Sequence, residues 1–491
     1  MAKIDNISEI SKLLTDCNSV LYKFFKSFKA LKVPQIVGGM KVAKRSGMSI
    51  LDIIVEMIVF FLQQQSIFSG ARLSCFKPSG VESQKNTFYN FMTSSRVNFR
   101  TLLQRVAMSC ILKMTAASGE SERKKFIVFD DTMIEKTGFR IEGVSKCYDH
   151  AGNRYVIGYK NLTATITDGI YNFVFDFSLV GESKKDPCRG LKEEDFQQQF
   201  KKNRTGNPVS QERVDELTES KMNLCLKMLR TALKMKLTPD YALFDSWFST
   251  QEFIAKILEI SDGKTNVICM LKKGNTTCEM DSKLISIKKL VETKQCQKFA
   301  YSKKYKCNYL KIKCKYGTTT VSIFLVRPQK SASIFVILST DTSLNFNKVF
   351  EHYHLRWSIE VTFRDCKQYL GLKSCHSRDF DAQICHTTLS FLTYNVLNYH
   401  RCLHENGSSL DGLFVGMRIE ATALSLSDKI MSLLEKILDA LCDFIQIDFG
   451  RFLHSFLSDN KAANNAVKGL LNLFAADNQI VSKMNTKNTS F

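Results

Sequence analysis

Two short apolar runs that each end on aspartate constrain this chain more than any other feature: FIVF, followed by Asp130 and Asp131, and YALF, followed by Asp245. Four apolar residues in a row, bounded by polar ones, suit a strand buried on both faces, and acids at its end place carboxylates at one edge of a sheet. After the first run come YVIGYKNLTATITD and IYNFVFDFSLVG, which read with it as an antiparallel meander. A polar stretch over residues 182–212 reads as a loop, and VDELTESKMNLCLKMLRTALKM as a helix leading to the second run. Strands, helix and strand in this order make an α/β or α+β domain with its acids gathered at one sheet edge.

The flanking segments are of a different kind. Over residues 4–118 apolar side chains recur at helical spacing: Leu13, Leu14, Leu21 and Phe24, then Ile50, Ile54, Met57 and Phe61. Ser49 is placed to cap the second of these helices. Its sequence, ILDIIVEMIVFFL, carries Asp52 and Glu56 and reads as a buried amphipathic helix, not a membrane span. From 266 to 342 the helical period gives way to six short strands: NVICMLKK, LISIKKLV, KFAYSKKY, YLKIKCKY, TTVSIFLV and SIFVILST. From Phe346 onward the chain is helical again.

With 44% hydrophobic and 24% charged residues, the 491-residue chain has enough apolar content for a core and too little charge bias for disorder. Sixteen cysteines without a CxxC pair fit reduced, buried thiols better than a disulfide scaffold. No secretory signal is visible at the start, so a cytoplasmic protein is expected. Lys and Arg number 69 against 48 Asp and Glu, a net +21 that points to a polyanionic partner. The excess is uneven: residues 1–120 carry 16 − 7 = +9, residues 271–317 carry 13 − 3 = +10, and residues 411–491 carry 8 − 9 = −1. In the second segment Lys303, Lys304, Lys306, Lys311, Lys313 and Lys315 are interleaved with Phe299, Tyr301, Tyr305, Tyr309 and Tyr316. Cations for phosphates and rings for bases make a nucleic-acid face, although the solvent side of a β ribbon gives a similar pattern. In KPSGVESQKNTFYNFM a turn leads to a helix bearing Lys85, Tyr89 and Arg96, which suits groove contact or a solvated face equally.

The third acid lies in a helix. Tyr353, Arg356, Glu360 and Lys367 follow at i, i+3, i+7 and i+14, which at 100° per residue puts all four on one stripe. Clustered carboxylates suit hard cations, and two such ions can clamp the attacking and leaving oxygens of a phosphodiester. The alternative for the stripe is an intrahelical ion-pair network at the surface.

The residues YHLRWSIEVTFRDCK fit the spacing Y-x2-R-x3-E-x6-K and so resemble the DDE transposases of bacterial insertion sequences in the YREK group. The text around them, STDTSLNFNKVFEHYHLRW and KQYLGLKS, together with FDDTMIEKTG and LFDSWF, is similar to that group as well. The resemblance implies a ribonuclease H-like α/β core with a β-strand insertion, flanked by helical N- and C-terminal regions. Five segments are then expected: a helical DNA-binding region over 1–120, the first part of the core over 121–262, a β-rich insertion over 263–344, the rest of the core with the Glu360 helix over 345–410, and a helical region for protein contact over 411–491. The resemblance further implies that Asp130, Asp245 and Glu360 are the catalytic, metal-binding acids. In the family the first acid precedes Thr or Ser by two positions, which picks Asp130 with Thr132 and leaves Asp131 as the alternative. Tyr353, Arg356 and Lys367 would contact the DNA end, and the lysine-rich insert would hold it. An aromatic of the insert would hold a flipped base; no Trp lies there, and Phe335 is the residue available.

The implied activity is cut-and-paste transposition with Mg2+, for which Mn2+ can substitute. Its partners are the terminal inverted repeats and target DNA, and a homodimer synapses the two ends; no membrane is involved, and a nucleoid-associated bacterial or archaeal protein is expected. Two other readings stay open: a metal-dependent nuclease on the same fold, and a catalytically silent DNA-binding protein derived from a transposase. His400 and His404, four apart on a helix, have metal-ligand spacing but read as packing residues. His352 and His354 are expected at DNA or solvent, and Trp247 and Trp357 as packing anchors.

Overall fold

A computed structural model of the chain describes residues 19–40, 47–73, 84–117, 123–149, 152–182, 200, 202–204, 206–294, 297–329, 333–404 and 410–423, with Leu433, Leu434 and Ile437 besides. Residues 1–18, with Leu13 and Leu14, residues 41–46 and 74–83, with the start of the KPSGVESQKNTFYNFM segment, and most of the residues after 423 lie outside them. The chain divides into two compact units, one built from Met1–Lys29, Lys44–Phe88 and Ser408–Phe491, the other from Ala30–Ala43 and Tyr89–Gly407.

The helices of the N-terminal third are α1 (Val20–Ala30), α2 (Val33–Gly38), α3 (Ile50–Leu62), α4 (Ile67–Leu73), α5 (Lys85–Met92) and α6 (Phe99–Ala117). Helix α3 is the buried helix expected from ILDIIVEMIVFFL: Ser49 caps it by accepting from the amide of Asp52 at 3.1 Å, and Ile53 to Leu62 are all buried. No helix among the described residues is long and apolar enough to cross a membrane. Within the first unit, Glu420 caps α1 from far along the chain, accepting from the Ser19 hydroxyl at 2.8 Å and from the amides of Val20 and Leu21 at 3.0 and 2.8 Å. A carboxylate there answers the open amides and the positive end of the helix dipole.

The second unit holds one mixed sheet. Its strands are β1 (Phe126–Glu135), β2 (Ser145–Asp149), β3 (Arg154–Thr167), β4 (Asn172–Val180), β5 (Tyr241–Phe244), β6 (Asn266–Leu271), β7 (Thr277–Met280), β8 (Lys283–Ser286), β9 (Ala300–Ser302), β10 (Cys307–Tyr316), β11 (Thr319–Pro328) and β12 (Phe335–Ser339). Hydrogen bonds order them β2-β3-β1-β5-β6-β12-β11-β10-β7-β8, with β4 beside β3 and β9 beside β10. The meander read from the sequence is present as β1, β3 and β4, with β2 as an additional edge hairpin. Strands β1, β5 and β6 run parallel, and β12, β11 and β10 carry the same sheet onward antiparallel.

The remaining helices are α7 (Pro208–Asp215), α8 (Lys221–Lys234), α9 (Gln251–Ile260), α10 (Ile287–Lys294), α11 (Phe346–His354), α12 (Trp357–Tyr369) and α13 (Phe380–His404). Three local readings of the sequence change. Part of the expected 182–212 loop is helix α7, started by Pro208. The expected strand LISIKKLV is strand only to Ser286 and continues as α10, whose inward residues Ile287, Leu290 and Val291 follow the helical period. The single helix expected to carry Tyr353 to Lys367 is two helices, α11 and α12, joined through Leu355 and Arg356. Amides there reach three residues back, Leu355 to His352 and Arg356 to Tyr353, so the chain tightens while both joint residues keep right-handed helical backbone angles.

Strand alternation fixes what lies on each face of the sheet. Phe126 and Val128 of β1, Tyr241 and Leu243 of β5 and Ile268 of β6 point to one side, where Phe346, Val349, Ile359 and Phe363 of α11 and α12 complete a buried cluster. Phe244 of β5 points the other way and meets Phe253 of α9 at 5.2 Å between ring centroids.

Candidate active site

Strands β1 and β5 pair in parallel with Phe126 opposite Tyr241 and Val128 opposite Leu243. That register carried two residues further sets Asp130 beside Asp245, just past the end of β5. By alternation both belong to the face covered by α11 and α12, whereas Asp131 points to the opposite face, toward α8. Asp245 thus follows the end of its strand as the sequence suggested, whereas Asp130 and Asp131 lie within theirs. β1 continues past them to Glu135, because Asp130 to Glu135 stay paired with β3 after the parallel ladder has ended.

Helix α12 runs over this face. Ile359, Phe363 and Cys366 are buried, and Arg356, Glu360 and Lys367 form the adjacent stripe. The Arg356 guanidinium donates to Asp130 Oδ2 at 3.0 Å and to Glu360 Oε1 at 2.5 Å, so one cation joins the two acids. Lys367 Nζ donates to Thr132 Oγ1 at 2.7 Å, with Thr132 on the same face of β1 as Asp130. Tyr353 lies half-buried at the end of α11, its ring 6.0 Å from the Arg356 guanidinium. The carboxylates of Asp130 and Asp245 are each held by a nearby amide: that of Asp131 reaches Asp130 Oδ1 at 2.8 Å, and that of Trp247 reaches Asp245 Oδ1 at 2.9 Å.

The electrostatics follow from this crowding. Burial pushes the Asp130 carboxyl up to about 7; Arg356 opposes the rise, while the charges of Asp131 and Asp245 add to it. Burial also raises the Tyr353 hydroxyl and lowers the Lys367 ammonium. A hard divalent cation suits such a donor set, since it would relieve the repulsion between carboxylates that Arg356 relieves only in part. Among the described residues, no three His, Cys, Asp or Glu side chains are gathered tightly enough to hold a metal ion. Arg356 stands between Asp130 and Glu360 instead.

The outer residues fall into place unevenly. Lys303, Lys306 and Lys313 are exposed, and no ion pair with them occurs among the described residues. Lys304 pairs with Glu351 at 3.1 Å, Lys315 with Glu279 at 3.6 Å, and Lys311 donates to the carbonyls of Thr342 and Leu344 at 2.9 and 2.8 Å. The rings read as base-stackers mostly face inward. Tyr309 stacks on Phe346 with centroids 4.1 Å apart, Tyr305 packs on Phe350, and Tyr316 is buried; Tyr301 alone among these tyrosines is exposed. Phe335 also packs against Phe350.

His352 is half-buried against Phe126 and Tyr241, its imidazole pKa lowered by burial, and His354 is exposed. His400 is buried as expected for packing. Trp247 and Trp357 are not the anchors expected from the sequence: 42% and 59% of their surfaces are open. A residue that the sequence reading did not single out, Lys221, has its Nζ 2.9 Å from Asp131 Oδ1 and 4.6 Å from the Trp247 ring centroid.

A mixed sheet with helices on both faces and acids beside its central parallel strands is the arrangement of a DDE, ribonuclease H-like endonuclease fold. Two family models match the chain: residues 203–396 match the Transposase DDE domain, and residues 52–276 match the DDE superfamily endonuclease. The first span includes Asp245 and Glu360, the second Asp130 and Asp245, so the matches overlap at the middle acid. Together they support a DDE transposase family and a transposase-type function for this chain. No curated protein matches it.

Proposed function

We propose that the protein is a DDE transposase of the YREK-signature group that cuts the ends of a DNA element and joins them to target DNA. The observation that carries this reading is Arg356 bonded at once to Asp130 and Glu360, on the sheet face to which Asp245 also belongs. Asp130, Asp245 and Glu360 would hold Mg2+, or Mn2+ in its place, and such ions supply activation of the attacking oxygen and charge neutralisation at the leaving one.

The protein's own groups do the rest. Asp130 is preferred to Asp131 as first acid because it shares a side of β1 with Glu360. Arg356, released from its carboxylates, and Lys367 would neutralise phosphate at the DNA end, and Tyr353 would position it. Attack by water, and then by the freed 3′ hydroxyl, is an in-line displacement that needs no covalent bond to the protein. Residues 1–120 would bind the element's ends, the lysine-rich insert would extend that surface, and residues 411–491 would contact a second copy in a synaptic dimer.

The test uses duplexes carrying the element's terminal repeats. Asp245→Asn and Glu360→Gln are expected to bind these ends as the native protein does and to leave them uncut in Mg2+. Cutting by either variant would contradict the assignment.

A further inference from the structure

The two aspartates proposed to hold metal are supported in the same manner, and the supports meet at one side chain. Asp130 accepts from the amide of its neighbour Asp131, and Asp245 from the amide of Trp247, two residues on. The side chains of those same two residues, Asp131 and Trp247, converge on Lys221: its ammonium is 2.9 Å from Asp131 Oδ1 and 4.6 Å from the Trp247 ring centroid. Lys221 thus spans from the β1 segment that aims the first acid to the turn after β5 that aims the second.

The position of Lys221 is not explained by the helix that bears it. It is the first residue of α8, where a cation opposes the helix dipole, and Ser220 before it makes no side-chain cap. Its side chain is 11% exposed, so a desolvated ammonium is held there by Asp131 and the indole face. The start of α8 is fastened to the same turn a second time: the Thr250 hydroxyl, which caps α9, lies 3.6 Å from Met222 Sδ. The ion pair also draws the Asp131 charge to the far face of β1, away from the side that Asp130 shares with Glu360.

Resting on the transposase reading above, we propose that Lys221 is a positioning residue that sets the relative placement of the Asp130 and Asp245 carboxylates through Asp131 and Trp247. It touches neither substrate nor cation. Outer-shell partners of metal ligands typically govern affinity by about 10- to 100-fold.

The test is an Mn2+ titration of the full-length protein followed by electron paramagnetic resonance, without DNA, alongside thermal unfolding. Lys221→Met is expected to weaken Mn2+ binding at least ten-fold, and Lys221→Arg, which keeps the charge and can stack on the indole, to restore it to within three-fold of native. Trp247→Leu, which leaves the ion pair in place, is expected to lose three-fold or more, and it carries the test should Lys221→Met fail to fold. Native Mn2+ affinity in folded Lys221→Met or in Trp247→Leu would overturn the proposal, as would failure of Lys221→Arg to recover. Asp245→Asn and Glu360→Gln, titrated in parallel, separate the two ideas. If they bind Mn2+ as native protein does, the carboxylate site itself is refuted; if they lose it while the Lys221 and Trp247 variants do not, only the positioning role fails.

Discussion

Arg356 and Asp130, 226 residues apart in sequence, are joined by a 3.0 Å ion pair, and the same guanidinium bonds Glu360 at 2.5 Å. The bridge draws α12 onto β1 and brings an acid from each under one counter-charge. Replacing Arg356 by Gln should destabilise the protein by about 1–3 kcal/mol at neutral pH, because a desolvated carboxylate loses its partner. In the Asp130→Asn background the same change should cost markedly less in urea unfolding. Strict additivity of the two substitutions would show that the bridge contributes nothing.

The Asp130 carboxyl also predicts a pH dependence. Its folded-state value, pushed up to about 7, lies above that of the unfolded chain, so between about pH 4 and 7 the folded state binds more protons. Stability attributable to this group is therefore present at low pH and lost as pH rises through about 7. Asp130→Asn should match the native protein near pH 4 and exceed it increasingly up to about pH 7, by at most about 4 kcal/mol. Added Mg2+ should narrow that gap by stabilising the native protein alone. A gap that is constant with pH would contradict the burial of this carboxyl.

The insert lysines divide into two groups. Neutralising Lys303, Lys306 and Lys313 together should lower the slope of log affinity against log salt by up to about 2.7, at about 0.9 per phosphate contact. Replacing Lys311 should instead act on stability, since its ammonium holds the carbonyls of Thr342 and Leu344. An unchanged slope in the triple variant would move the DNA surface elsewhere.

Tyr309 is the counterpart among the rings. Half-buried and stacked on Phe346 against the buried cluster, it should cost about 3 kcal/mol on truncation to Ala while leaving the salt slope unaltered. Loss of DNA affinity without loss of stability would return it to the role of base-stacker.

These outcomes bear on what the sequence disclosed. FIVF and YALF announced β1 and β5 because unbroken apolar runs with acids after them have few other uses, and the stripe from Arg356 to Lys367 could be computed from helical geometry alone. Ser49 could be read as a cap from its place before an apolar helix. The joint at Leu355 and Arg356 was hidden, because no Pro or Gly marks it and both residues keep right-handed helical backbone angles. The inward packing of Tyr305 and Tyr309 was hidden for another reason: alternation along a strand shows that two faces exist, not which one a later helix will cover. Lys221 left one trace, a cation in the first turn of a helix, where it opposes the dipole. Its partners Asp131 and Trp247 lie on two other elements and become its neighbours only through the β1–β5 register.

The most direct measurement is cleavage and strand transfer in Mg2+ on DNA bearing the element's own ends, comparing native protein with Glu360→Ala. Cleaved ends joined to target by the native protein, and bound but intact ends with Glu360→Ala, are the predicted result. Ends bound yet neither cut nor joined by the native protein, or cutting that persists without Glu360, would contradict a DDE transposase built on these three acids.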